Sequence, residues 1–158
     1  MTENVKNALL PAGLRDVLPG DASPEAELVE RIVAFFGQNG YERVKTPLIE
    51  FEDSLLSGAG VALAPQTFRL MDPVSQRMMA VRADITPQIA RIARTRLSQS
   101  YRPLRLSYSG EVLRVRGSQL RPEREFRQAG VELIGAGETA ADAEVIVLAA
   151  TTLADVGV

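Results

Sequence analysis

The stretch Gly110–Gly135, GEVLRVRGSQLRPEREFRQAGVELIG, decides the fold, because it concentrates both regular patterning and charge. It predicts two strands joined through a charged loop. The first, Leu104–Val115, alternates after Gly110 through Val112, Leu113, Arg114 and Val115, and the second, Glu125–Ile134, carries Phe126, Val131, Leu133 and Ile134, of which Val131 and Leu133 hold period-2 spacing. Gly117, Ser118 and Pro122 supply turn chemistry between them, so a hairpin is the natural connection. Arg114, Arg116, Arg121, Arg124 and Arg127 make the loop a candidate anion-facing surface, although runs of charge usually face water and a solvated hairpin stays open as a reading. Arg114, Gln128 and Glu132 weigh against solvation alone. They sit inside the apolar pattern of their strands, and on a buried face they need partners, since an unpaired buried charge is costly. A polar ligand can supply those partners.

The hairpin resembles the motif 2 region of class II aminoacyl-tRNA synthetases, and Arg124–Gly135, REFRQAGVELIG, resembles the histidyl branch. The resemblance implies that Arg114 meets an amino-acid carboxylate and the ATP phosphate. It also implies that Gln128 and Glu132, four residues apart, hold a histidine ligand.

A chain of 158 residues with 46% hydrophobic content is long enough for one globular domain with its own core. Net charge is -2, so bulk electrostatics do not make it a nucleic-acid binder, but the charge is uneven: residues 85–127 hold ten Arg against three Glu, between acidic flanks. That distribution suits a local anionic ligand or partner surface better than a long phosphate-tracking groove. With no cysteine and no histidine, disulfides, thiol nucleophiles, the usual zinc sites and histidine acid/base catalysis are excluded. The opening MTENVKNALLPAGL has no run long enough for a signal-peptide core, and no window reaches membrane-spanning length. A cytosolic protein without a membrane partner is expected.

In chain order, residues 1–22 predict an extended lead-in whose Leu9, Leu10, Leu14, Val17 and Leu18 can pack on the core. Its GLRDVLP also resembles the start of the histidyl family. Ser23 can cap a helix beginning at Pro24 and running to about Asn39, with Gly40 placed to end it. Gly40–Phe51, GYERVKTPLIEF, predicts a strand broken by Pro47, which argues against a central position. It resembles motif 1, which implies self-association through this segment; without the resemblance it is an ordinary helix-to-edge-strand connection. Residues 52–66 are expected to be loop with a short helical turn. Thr67–Met71 and Arg77–Arg82 predict a hairpin about Asp72, Pro73 and Ser75. A helix over 86–98 follows, with Thr86 as cap, Ile89, Ile92, Ala93 and Leu97 buried, and Arg91, Arg94 and Arg96 wet. The last helix, near 139–155 and capped near Thr139, is expected to bury Ala143, Ile146, Val147, Ala150 and Leu153. The expected fold class is α+β: a largely antiparallel mixed sheet flanked by helices, left open at an apolar edge that makes the chain self-associate.

Asp84 and Thr86 stand where a strand delivers the chain to a helix, a place where a carboxylate and a hydroxyl can hold an ammonium group or simply cap the helix. In the synthetases the corresponding segment is typically Arg-Pro-Glu-Gly-Thr, whose glutamate and threonine receive the amino group. Here Arg82-Ala83-Asp84-Ile85-Thr86 has a carboxylate one methylene shorter and lacks the glycine. Two departures bear on catalysis. Motif 3, with its γ-phosphate arginine, is not found, so the whole of residues 1–158 is expected to be the N-terminal part of a class II-like domain. Where the synthetases read adenine with a glutamate two residues after the motif 2 arginine, this chain has Arg116, which cannot accept from the adenine amino group. Leu56–Met79 and Arg116–Gly130 resemble the synthetase paralogues that serve as regulatory subunits of ATP phosphoribosyltransferase in histidine biosynthesis. That family implies no catalytic residue, cofactor or metal, a short-form catalytic transferase subunit as partner, and histidine as feedback ligand. An active histidine-tRNA ligase and a stand-alone amino-acid-binding module remain as alternatives.

Overall fold

A computed structural model describes residues 10–158. Its elements in order are α1 (Pro19–Gln38), β1 (Glu42–Arg43), β2 (Ile49–Phe51), α2 (Glu52–Leu55), a 3-10 helix (Gly58–Gln66), β3 (Arg69–Met71), β4 (Met78–Val81), α3 (Thr86–Thr95), β5 (Leu104–Leu113), β6 (Glu125–Ile134) and α4 (Thr139–Val156). The class is α+β. One sheet has the order β1-β5-β6, with β1 parallel and β6 antiparallel to β5, and the other is the antiparallel set β2-β4-β3. Pro47 separates β1 from β2, and each ends up on the edge of a different sheet, where a missing N–H is tolerated.

The hairpin is the spine. In its register Leu106 faces Glu132, Tyr108 faces Gly130, Gly110 faces Gln128 and Val112 faces Phe126. Because side chains alternate across a strand, these pairs share one face. On it Leu104, Leu106, Tyr108 and Val112 form a core with Ile85, Ile89 and Ala93 of α3 and the stretch before it. On the other face Ala129 and Val131 pack against Phe36, Tyr41 and Leu148 from α1, its exit and α4. Helices thus cover both faces of β5 and β6, and accordingly half of the ten β5 residues are buried and none is exposed.

Helix α1 ends as its sequence predicts. Gly40 takes φ +83, its N–H donates to the Gly37 carbonyl and that of Tyr41 to the Phe36 carbonyl, while the Tyr41 ring is buried beside Phe36. This is the paired-bond ending that a left-handed glycine permits. The start differs from the expectation: Pro19, not Pro24, opens the helix, Leu18 is the N-cap, and Ser23 makes no cap. Pro19 in the first turn forfeits no hydrogen bond, so it nucleates one turn early and Pro24 is carried inside.

Other expectations are corrected. The lead-in is packed by little of its apolar set: Leu10, Val17 and Leu18 are exposed, Leu14 is half-buried, and Leu9 lies outside the described residues. It is held instead by backbone, Gly13 accepting from the Arg124 N–H (2.8 Å) and Ala12 from the Arg124 guanidinium (3.1 Å). Gly13, at φ +80, leaves no room for a Cβ, which would lie 2.8 Å from Arg124 carbons. Residues 52–66 are more helical than expected, as α2 and the 3-10 helix. Arg91 is not on a wet face: it forms an ion pair with Glu50, whose side chain is buried. In α4, Ile146 (68% exposed), Val147 (60%) and Leu153 face outward, and the inward row is Glu144, Leu148 and Thr152 at i, i+4, i+8. A charged anchor sets that rotation. Glu144 accepts from Arg105 (2.7 and 2.8 Å) and from the Tyr41 hydroxyl (2.9 Å), which pins its side of the helix to the sheet. These contacts hold the Glu144 carboxyl down at about 2.

Candidate ligand-binding site

The site grows from the junction where β4 passes into α3. Neither Thr86 nor Thr139 caps its helix: both are the first helical residues, after Ile85 and Glu138 as N-caps without side-chain capping bonds. The Thr86 N–H is taken instead by Asp84 Oδ1 at 2.8 Å, an aspartate turn of the kind that competes with regular structure. This frees the Thr86 hydroxyl, which lies 3.1 Å from the Tyr108 hydroxyl.

From β6, Gln128 reaches across. Its Oε1 accepts the Ile85 N–H at 3.0 Å and its Nε2 donates to Asp84 Oδ1 at 3.2 Å. Four residues further along, on the other side of Gly130, Glu132 accepts from the Tyr108 hydroxyl at 3.4 Å. Asp84, Thr86, Tyr108, Gln128 and Glu132 are therefore linked side by side on the α3-covered face of the hairpin. Burial pushes the Glu132 carboxyl above its ordinary value, the Asp84 carboxylate adds to this, and the Thr86 and Tyr108 hydroxyls oppose it. Burial likewise lifts the Tyr108 phenol to about 12, so it is a donor throughout the physiological range.

Arg114 lies just beyond the end of β5. Its Nε donates to the Ala83 carbonyl at 3.3 Å, and its guanidinium carbon stands 4.9 Å from the centre of the Phe126 ring. Four of the five residues predicted from sequence therefore meet along Ala83–Thr86, and Glu132 joins them through Tyr108. Two contributors were missed. Tyr108 reads as an ordinary apolar strand residue, and its signal was the glycine opposite: a Cβ on Gly130 would lie 2.6 Å from the Tyr108 hydroxyl. Arg82 is the other, a guanidinium only 6% exposed, and Gly110 is its matching gap.

The remaining loop arginines divide. Arg127 pairs with Glu111 (2.5 Å), and Arg124 stacks on Phe68 while tying down the lead-in. Arg116 and Arg121 are exposed. A cleft of about 760 Å³ between α1 and the hairpin is lined by Arg121 and Arg127 but by none of the five site residues. Chemically, the linked cluster offers carboxylates and hydroxyls to a cationic donor and, at the Arg114 end, a guanidinium to an anion, the pattern a zwitterion needs. Among the described residues no group of three or more metal-ligating side chains occurs, and no helix is long and apolar enough to cross a membrane.

A model of the histidyl-tRNA synthetase family matches residues 13–158. The chain belongs to that family. Within it, the chain is 63% identical over its whole length to a protein of Paramagnetospirillum magneticum named ATP phosphoribosyltransferase regulatory subunit, covering 42% of that protein. It is 67% identical over 95% of its length to one of the same name from Rhodospirillum centenum, covering 39%. The chain thus spans about two fifths of the curated relatives it matches. Among solved structures, a Bacillus halodurans protein described as an ATP phosphoribosyltransferase regulatory subunit/histidyl-tRNA synthetase superposes with a TM-score of 0.81 at 33% identity, covering 95% of this chain and 38% of that one. A Staphylococcus aureus histidyl-tRNA synthetase, 23% identical, shares the fold with a TM-score of 0.75 over 94% of this chain and 35% of its own.

Proposed function

We propose that this chain is the N-terminal part of a class II-like domain in a non-catalytic regulatory subunit of ATP phosphoribosyltransferase, acting at the first step of histidine biosynthesis. The observation that carries this reading is the high identity to relatives bearing that name. Arg116 supports it independently: a guanidinium in place of the adenine-reading carboxylate disfavours ATP, so amino-acid activation is not expected. In this reading Asp84 and Thr86 receive the ammonium group of histidine, Arg114 its carboxylate, and Gln128 and Glu132 the amino group and its surroundings. The short-form catalytic subunit is the partner, the Gly40–Phe51 segment serves self-association, and the setting is cytoplasmic.

The test is functional. Purified with the short-form transferase, the full-length protein should co-elute with it and raise its activity, and histidine should reverse the increase. Histidine-dependent pyrophosphate exchange should be absent. Robust exchange would return the ligase reading, and histidine binding without any association with the transferase would favour a stand-alone binding module.

A further inference from the structure

Arg82 is a buried cation without a carboxylate partner among the described residues, and this is an expensive thing for a fold to keep. Its hydrogen bonds go to neutral acceptors on two different segments. Nε donates to the Glu111 carbonyl on β5 at 2.6 Å, and Nη1 donates to the Thr46 hydroxyl (2.8 Å) and carbonyl (3.1 Å) between β1 and β2. The sheet leaves room for it, since a Cβ on Gly110 would stand 2.2 Å from Nη2. The backbone of the same residue is fixed twice more, its N–H to the Leu48 carbonyl (3.0 Å) and its own carbonyl to the Leu113 N–H (3.0 Å). Residue 82 is therefore clamped between the two sheets by side chain and main chain together, and the residues that follow it include Asp84 and Thr86, the two acceptors assigned to the ammonium group.

Gln128 and Arg114 also grip this stretch, but from the ligand side: Gln128 through Asp84 and Ile85, Arg114 through Ala83. Both are assigned to the ligand in the proposed reading, so their hold on the stretch is shared with histidine. Arg82 differs in that none of its acceptors belongs to a residue assigned to the ligand. We infer that Arg82 is the positioning residue of the ammonium subsite, holding Asp84 and Thr86 at fixed distance from Gln128 and Glu132 through its clamp on Thr46 and Glu111. The inference rests on the histidine reading. A carboxylate held in place discriminates sharply for an ammonium group, and one that can drift loses that discrimination first, because precision of placement is what the supporting contacts provide.

The experiment is titration calorimetry of the full-length protein with L-histidine and with its des-amino analogue, imidazolepropionate, for the parent, Arg82→Lys and Thr46→Val, with thermal unfolding alongside. Thr46→Val removes only the hydroxyl acceptor and keeps the shape of the side chain. The parent should prefer histidine, and Arg82→Lys should erode that preference by roughly tenfold or more, chiefly through weaker histidine binding. Thr46→Val should erode it in the same direction and by less. A merely structural arginine would lower the unfolding temperature while leaving the preference of the folded protein as in the parent; that result in both variants overturns the inference and leaves the histidine reading standing. Absence of histidine binding by the parent overturns both.

Discussion

Replacing Gly130 by alanine tests whether the linked cluster is as tightly built as its distances imply. The new Cβ would sit 2.8 Å from Tyr108 Cζ and 2.6 Å from its hydroxyl. Since carbon atoms make contact at about 3.5–4.0 Å, the ring must retreat by at least ~0.7 Å. Tyr108 has nowhere easy to go, because it is buried in the core formed with Ile85 and Ile89. Overpacking of this kind costs about 1–3 kcal/mol, and loss of the hydroxyl contact with Thr86 adds about 1 kcal/mol. The sum, about 2–4 kcal/mol, corresponds to a fall in midpoint temperature of roughly 4–16 °C for a chain of this size. Tyr108→Phe, which removes the hydroxyl and keeps the ring, should cost only about 1 kcal/mol. Urea unfolding of the parent and both variants measures these differences. A Gly130→Ala protein within about 0.5 kcal/mol of the parent, the range of an unremarkable surface change, would refute the reasoning.

Three further outcomes follow from charge. Arg91→Met takes the cation from the buried Glu50 carboxylate and leaves Gln88 Nε2, at 2.9 Å, as a donor to it, which costs about 1–3 kcal/mol by chemical unfolding, more than the exposed Arg94→Met should. Glu144 has its carboxyl lowered to about 2, so the stability it contributes is present above about 4.5 and is lost as pH falls toward 2; Glu144→Gln should flatten that part of the stability profile. Glu132 is shifted the other way: the folded state holds its proton more tightly than the unfolded one, and stability falls as pH rises from 4.5 through the raised value. Glu132→Gln should abolish that decline, so its advantage over the parent grows with pH across the same window.

The hairpin was legible because two long stretches with an apolar pattern flank a run of turn residues, and β6 begins and ends where it was expected, at Glu125 and Ile134. Asp84, Thr86, Arg114, Gln128 and Glu132 were legible as polar interruptions of that pattern and of the strand-to-helix junction. What the sequence concealed depends on long-range partners. The rotation of α4 could not be read from its many alanines and β-branched residues, which give no single apolar stripe; it is chosen by Glu144 meeting Arg105 and Tyr41, residues distant in sequence. Arg91 looked wet because its partner Glu50 lies on β2, distant in sequence, and Thr86 looked like a cap because nothing in the sequence says that Asp84 takes the N–H first. Tyr108 and Arg82 were visible only as the glycines opposite them, Gly130 and Gly110.

The most direct test of the account is calorimetric titration of histidine into the full-length protein and into Arg114→Ala and Arg121→Ala. Loss of a charged partner from a desolvated site costs about 2–5 kcal/mol, which at about 1.4 kcal/mol per decade is roughly thirtyfold or more in dissociation constant. The parent should bind histidine at one site per chain, Arg114→Ala should bind at least that much more weakly, and Arg121→Ala, exposed on the loop, should match the parent. Equal affinities in all three proteins, or no binding by the parent, would contradict the assignment of this cluster to histidine.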